Sequence, residues 1–549
     1  MAPHLVDVPY AHETWTEAEA DVLRRYFTNL EAPVFALVNL PEVVKGALFA
    51  RYSRSAKSLR RLFLDEFVGD LDVSGDHSLD ATVGMARAEQ LYERVFFEYG
   101  DDSVAQLGGV HLACEQASNL LTKVLERGRL MSYMEKSTRY VAYDTRLPSG
   151  RYRYYRSPEV LASPLGARYV GDMDRMFDAY AQLLPRVYEF FAHCHPKPPT
   201  TSDFAYRQSL KAKAYDALRG LLPSAATSNL GIYGSGQAFE ALLLRMRAQP
   251  LPEARHYAEL MLVELRKVIP SWVRRVDIAD RGLAWTDYMQ TNDHVMSDVA
   301  EALFGKFGVA NRAPFRAGSP EVTLVDWDRN AEVKLVSAML YPYTHLPEQE
   351  LEARVSRMEP SERLEIMRKY SGERINRRHR PGRGLERCSY RFDVVSDYGA
   401  FRDLQRHRLL TIEWQGLTPY HGYTMPEAVA AAGGAELYES AMRRSWSLFE
   451  ALAEGFGEVV AAYAVALAYR VRFSVHMNAR EAMHVLELRT SPQGHPEYRG
   501  VCQQMHRLIA AQAGHEAVAE LMKFVDHSSE EEELGRLEGE RRAEARRRA

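Results

Sequence analysis

The side chains best suited to chemistry in this 549-residue chain are basic and come in triplets. Arg406-His407-Arg408 sets two guanidinium groups around an imidazole, a donor set that meets anionic oxygens with charge-assisted hydrogen bonds. An altered version, Arg127-Gly128-Arg129, lies 279 residues upstream. Each triplet ends a helix-like apolar segment and leads into a polar, partly aromatic loop, so the chain reads as one catalytic module written twice. The two copies have changed in different places.

Other constellations are weaker. Arg374, Arg377, Arg378, Arg380, Arg383 and Arg387 form a basic cluster that could grip RNA or a pyrophosphate, or stand as a solvated loop. His193-Cys194-His195 has metal-ligand residue types, but adjacent side chains diverge and no second pair follows. GIYGSGQAF lacks the full GxGxxG and the strand before it that a dinucleotide fingerprint needs. Cys114, Cys194, Cys388 and Cys502 are too widely and irregularly spaced for a disulfide framework or a CxxC metal pair.

The elements that must position the triplets show in the patterning. EVVKGALFARY and SAKSLRRLFLDEF have helical spacing, and His111–Leu125 aligns Ala117, Leu121, Val124 and Leu125 as one helix stopped by Gly128. In the second copy, ERCSYRFDVV alternates as a half-buried strand, and GAFRDLQRHRLL returns to helical spacing. Residues 281–325 read as a connector, and the acidic-to-basic C-terminal segment as a solvated tail, in which a helix could be capped by Ser529. The expected organisation is a first copy at 1–280, the connector, a second copy at 326–527 and the tail at 528–549. A hydrophobic share of 46% argues against disorder, and a net charge of -4 demands neither nucleic acid nor a membrane. With no basic leader before an apolar core and no run of about 18 apolar residues, a reduced, cytoplasmic location is expected.

The sequence resembles the flavin-dependent thymidylate synthases over about residues 45 to 275 and 325 to 527. Their hallmark is Arg-His-Arg, seven or eight residues, Ser, then Arg-Tyr. The first copy reads RGRLMSYMEKSTRY, with seven residues between Arg129 and Ser137 and then Thr138, Arg139 and Tyr140; only the central His is changed. The second copy keeps Arg406-His407-Arg408 but continues LLTIEWQGLTPYHGY, with Thr418 late and Tyr420 where the arginine is expected. Downstream, HMNAREAMHVLELR is similar to the family's Asn-Ala-Arg and Leu-Arg helix through Asn478, Arg480 and Arg489, whereas GSGQAFEALLLRMR in the first copy lacks that Asn and Arg and retains a terminal arginine, Arg247. DALRGLLP is similar to the family's Ala-Arg-x-x-Leu-Pro segment through Arg219, where the second copy has Ala462.

The resemblance implies an α+β fold: two tandem flavin-dependent thymidylate synthase-like domains, each a mainly antiparallel sheet covered by helices. It implies conversion of dUMP to dTMP with FAD as cofactor and methylenetetrahydrofolate and NADPH as cosubstrates. Substrate binding falls to Glu135, Ser137, Arg139 and Arg219, flavin binding to Arg406, His407, Arg408, Asn478 and Arg480, and electrostatic stabilisation at the base to Arg489. No cysteine nucleophile is required, and none of the four follows a proline as in the classical synthases. Because family sites combine subunits of a homotetramer, complementary losses imply one complete site shared by the copies, in a subunit that pairs again into a pseudotetramer. A flavoenzyme acting on another pyrimidine nucleotide and a non-catalytic flavin- or nucleotide-binding protein are the alternatives.

Overall fold

A computed structural model describes residues 13–31, 35–52, 57–68, 106–136, 141–305 and 321–528, with single residues 534, 537, 541 and 544 beyond. In the first half, strand β1 (Gly109–Ser118) runs into helix α1 (Asn119–Leu125), followed by β2 (Met131–Glu135), the long helices α2 (Gly166–Cys194) and α3 (Asp203–Leu218), β3 (Thr227–Ser235) and α4 (Gly236–Arg247). Helix α5 (Ala284–Phe304) and β4 (Val322–Trp327) come next. The order then repeats as β5 (Ser389–Asp397), α6 (Tyr398–Gln405), β6 (Thr411–Trp414), α7 (Ala435–Phe456), β7 (Arg470–Asn478), α8 (Ala479–Arg489) and α9 (Pro496–Ala511). The sheets are ordered β1-β3-β2 and β4-β5-β7-β6, so without β4 the second repeats the first. The α+β class and the tandem copies expected from the sequence are both present.

Each strand that carries a site turns into its helix through a polar cap. Ser118 Oγ accepts from Leu121 N at 3.1 Å, Ser235 Oγ from Ala238 N at 3.3 Å and Asn478 Oδ1 from Glu481 N at 2.9 Å, while Asp397 accepts from Ala400 N. Such a cap satisfies an N–H that has no partner within the helix. On the inner face of β5, Tyr390, Phe392 and Val394 are buried and lie opposite Met477, Val475 and Phe473 of β7. Burial contributes about 1.5–3 kcal/mol for each large apolar side chain, which pins the register and fixes where α6 and α8 begin.

The described residues fall into two compact units, one drawn from Met1–Cys114, Leu130–Met134 and Leu230–Ala300, the other from Glu115–Arg129, Glu135–Asn229 and Glu301–Ala549. In the first, Trp272 is fully buried and takes space that only glycine leaves open: a Cβ on Gly236 would lie 2.6 Å from its ring. The second unit draws on both copies, and equivalent segments meet there. Ser224 N donates to Val465 O at 2.8 Å and Leu467 N to Leu222 O at 2.9 Å; Ala225 N donates to Tyr463 O at 3.1 Å and Ala468 N to Gly220 O at 3.0 Å. Pro223 and Ala466 form the bridge between these pairs. The bonds exchange reciprocally, which fixes a local two-fold relation between 220–225 and 463–468.

One local expectation needs correction. The single helix over His111–Leu125 is strand β1 as far as Ser118 and helix only from Asn119. Gln116 stands at φ 56 and its N–H goes to Asn229 Oδ1 at 3.0 Å, a kink that shifts the strand's alternation and makes its apolar residues mimic helical spacing. The segment 281–325 carries α5, which has no buried residue. Ser529 lies outside the described residues.

Candidate active site

The loop after α1 and the end of α6 meet inside the second unit around Glu135. Its side chain is wholly buried, with Arg402 Nη2 2.7 Å from Oε1, Arg406 on Oε2 and Lys123 Nζ 3.7 Å from Oε2. Burial alone would push this carboxyl up, but Arg402, Lys123 and Arg406 outweigh it and hold it at about 2. Lys123, itself buried, is lowered by desolvation and paired with Glu126. Burial opposes the charge on Arg406 too, yet Glu135, Glu126 and Asp403 raise it above the ordinary guanidinium range. Glu135 is from copy one; Arg402 and Arg406 are from copy two.

A second knot forms one helical turn away. Arg219 Nη1 reaches Asp403 Oδ2 at 3.2 Å; Arg489 Nη2 donates to Asp403 O at 2.5 Å and its Nε to His407 Nε2 at 2.8 Å. Arg219 is 5% exposed, and its Nε and Nη2 have no hydrogen-bond partner among the described residues. The guanidinium lies on Gly399, where a Cβ would come 2.9 Å from both of those nitrogens. At the equivalent positions of the other copy the sizes are reversed, Leu120 for Gly399 and Ala462 for Arg219. Beside Arg219 opens a cavity of about 480 Å³, lined also by Asp397, Thr424, His495 and Glu497. Burial, with Asp397 and Glu321 adding like charge, pushes Glu497 up to about 7; burial also raises Asp397, against the pull of Arg219.

The sequence therefore named five residues that come together here: Glu135, Arg219, Arg406, His407 and Arg489. It missed Lys123, Arg402, Asp403 and Gly399, although Arg402 and Asp403 stand one turn before the Arg-His-Arg triplet, where helical spacing predicts a shared face. Asn478 serves as the cap of α8, and Arg480 binds Pro381 O at 3.0 Å and Glu386 at 2.9 Å. Arg408 is exposed at the triplet's outer end. Ser137 and Arg139 lie outside the described residues. Within the arginine cluster, Arg374 is a buried structural residue, bonded to Glu487 at 2.7 and 2.5 Å and to His379 O at 2.6 Å.

The counterpart of the Glu135 knot is open to solvent. Arg127 Nη2 pairs with Glu413 at 2.9 Å and stacks over Trp414, while Arg129 reaches Thr411 Oγ1 at 3.0 Å. Trp414 holds the position of Glu135, and Arg127 and Glu413 are 43% and 69% exposed, so this pair is screened.

Comparison with known proteins gives matches along both halves. The model of the family described as thymidylate synthase complementing protein matches residues 51–271 and 323–513. The UPF0159 protein of Chlamydia muridarum is 38% identical over 538 residues, 97% of this chain and 99% of that one, and its counterpart in Chlamydia pneumoniae is 39% identical over 97% and 98%. A UPF0159 protein of Thermoplasma acidophilum is 31% identical, covering 90% and 97%. The solved UMP/dUMP methylase PolB from Streptomyces cacaoi, bound with 5-Br dUMP, aligns with 37% of this chain and 97% of its own at 19% identity and a TM-score of 0.30.

Proposed function

This chain belongs to the thymidylate synthase complementing protein family, and from that premise we propose that it methylates dUMP reductively to dTMP at one site completed by both copies. The observation that carries the reading is the burial of Glu135, from the copy with the nucleotide loop, between Arg402 and Arg406, from the copy with the intact Arg-His-Arg. Arg219 of copy one and Arg489 of copy two converge on Asp403 in the same way.

In this reading the unpaired Nε–H and Nη2–H of Arg219, with Ser137 and Arg139, hold the nucleotide phosphate through charge-assisted bonds. Glu135, kept ionised by its three cations, orders the loop and sets the arginines that border the nucleotide. Arg489 stands at the base: a new bond at uracil C5 shifts negative charge to the ring oxygens, and a fixed guanidinium stabilises that charge before the C5 proton leaves. Its Nη2 on Asp403 O and Nε on His407 fix its direction, while the Asp403 carboxylate, 3.9 Å from Nη1, offsets part of its charge.

The donor set also fits FAD: Arg406 keeps 34% of its side chain exposed beside its bond to Glu135, and Arg408 next to it is exposed, so both would hold phosphate oxygens. Bound reduced flavin supplies the hydride that completes the methyl group, with methylenetetrahydrofolate as the one-carbon donor and NADPH as reductant. Asn478 and Arg480 contribute by shaping α8. The subunit pairs again into a pseudotetramer.

The test is tritium release from C5-labelled dUMP by the purified chain, and by Arg139→Ala and Arg406→Ala. Either change abolishes release if the site is shared, and Arg139→Ala weakens nucleotide binding while sparing flavin. Full activity in either variant would overturn the shared site.

A further inference from the structure

Behind His407, which holds Arg489, lie two side chains, Glu481 and His484, that the reading above leaves without a role. Arg489 Nε–H donates to His407 Nε2 at 2.8 Å; the other ring nitrogen, Nδ1, faces Glu481 Oε1 at 3.6 Å; and His484 Nδ1 meets the same carboxylate at 3.4 Å. The two imidazoles lie edge to face with centroids 5.4 Å apart. His407 and Glu481 are buried, and His484 is 23% exposed at the outer end. Glu481 is held by its own backbone, whose N–H is capped by Asn478.

His407, Glu481 and His484 could enclose a cation, but the hydrogen bonds speak for another role. A metal-bound imidazole normally offers its second nitrogen as an N–H donor. In His407 that second nitrogen already receives the N–H of Arg489, so the ring proton must sit on Nδ1, toward Glu481. The line is therefore polarised: carboxylate, Nδ1–H, Nε2 lone pair, guanidinium.

The copies supply an internal comparison. The reciprocal hydrogen bonds set 220–225 against 463–468, which puts Ser235 and Asn478, the caps of α4 and α8, at equivalent positions. Continuing along the helices, the positions of Glu481, His484 and Arg489 hold Ala238, Ala241 and Met246 in copy one, and His407 corresponds to Gly128. All four members are absent together, although the flanking arginines persist as Arg127 and Arg129. A set of residues lost as a unit fits a single task.

We propose that Glu481, closed at its outer end by His484, holds His407 as the neutral Nδ1–H tautomer and thereby aims Arg489, making Glu481, His407 and His484 positioning residues for the cation at the base. A protonated His407 would carry N–H on both nitrogens and set a donor against the Arg489 donor, releasing the guanidinium. The charged or titratable groups around the ring are Arg489, Glu481 and His484 from α8, with Asp403 and Arg406 on its own segment. Burial, with Arg489 and His484 adding like charge, lowers His407 to about 4 against the opposing pull of Glu481, which keeps it neutral across the working range.

The inference rests on Arg489 acting at the base, and two measurements separate its failure from failure of that reading. Deuterium exchange at histidine ring carbons, followed by mass spectrometry of the full chain, gives His407 its own titration. In Arg489→Met that titration moves up by about one unit or more, because a neighbouring cation is gone; an unmoved titration overturns the arrangement. In the tritium-release assay Glu481→Ala lowers kcat by about 10- to 100-fold with KM for dUMP nearly unchanged, the mark of a misaimed group. Glu481→Gln, whose amide oxygen still accepts from Nδ1–H, restores most of that loss. Wild-type kcat in Glu481→Ala, or equal losses in Glu481→Ala and Glu481→Gln, overturns the proposal. If the wild-type chain releases no tritium, the assigned reaction falls, while the His407 titration still decides whether Arg489 is held.

Discussion

Replacing Glu135 by Gln tests the electrostatics of the shared knot. The carboxylate is wholly buried against Arg402 at 2.7 Å, Lys123 at 3.7 Å and Arg406. Its titration is held at about 2 rather than the usual 4.5, a difference that corresponds to about 3 kcal/mol of stability near neutral pH. Removing one member of a buried ion pair independently costs about 3–5 kcal/mol, so the two routes agree. Because the folded-state value is depressed, the contribution is present above the unfolded value and is lost as pH falls through about 4.5 toward about 2. Urea unfolding of wild type and Glu135→Gln at pH 7 and at pH 3 measures it. The expected result is a destabilisation of about 3 kcal/mol at pH 7 that shrinks at pH 3. A change under about 0.5 kcal/mol at pH 7, typical of surface substitutions, would refute the reasoning.

Further outcomes follow from the same geometry. Gly399→Ala sets a methyl 2.9 Å from the Arg219 nitrogens, so KM for dUMP rises by about tenfold, while thermal unfolding shows no large loss because alanine favours the helix. Arg127→Ala, which breaks an exposed pair, changes stability by less than about 1 kcal/mol and leaves tritium release intact. Glu497 has a raised folded-state value of about 7, so its contribution is full below the unfolded value and is lost as pH rises through 7. Glu497→Gln accordingly raises Tm at pH 8, by about 1 °C for each kcal/mol regained, with little effect at pH 4; an unchanged difference across that range would contradict the assignment.

The Arg-His-Arg of copy two was legible in the sequence because it depends on short, fixed spacing, whereas the Ser-Thr-Arg-Tyr of copy one lies outside the described residues. Also legible were β5, from its strict alternation, and α6. The connection between Glu135 and Arg406 was foreseen only as two halves needing each other, since the partners are 271 residues apart and carry no local signal. Arg374 illustrates the opposite case: an exposed basic cluster is the natural reading of RINRRHRPGR, yet Glu487, 113 residues later, draws that one arginine into the core. The kink at Gln116 hid β1 for a different reason, because a strand that changes phase spaces its apolar residues as a helix does. Asn478, expected at the flavin, stands at the start of α8 as its cap through the bond from Glu481 N, a task its place before a helical run also allows.

The central claim, that two incomplete copies make one working site, is tested most directly by the amount of FAD bound per chain. Flavin released by denaturation and quantified against protein mass should give one equivalent per 549-residue chain, and Arg406→Ala should bring it toward zero while Arg127→Ala leaves it unchanged. Two equivalents per chain would mean that each copy holds its own site, and none would remove the flavin from the account; either result contradicts the shared site.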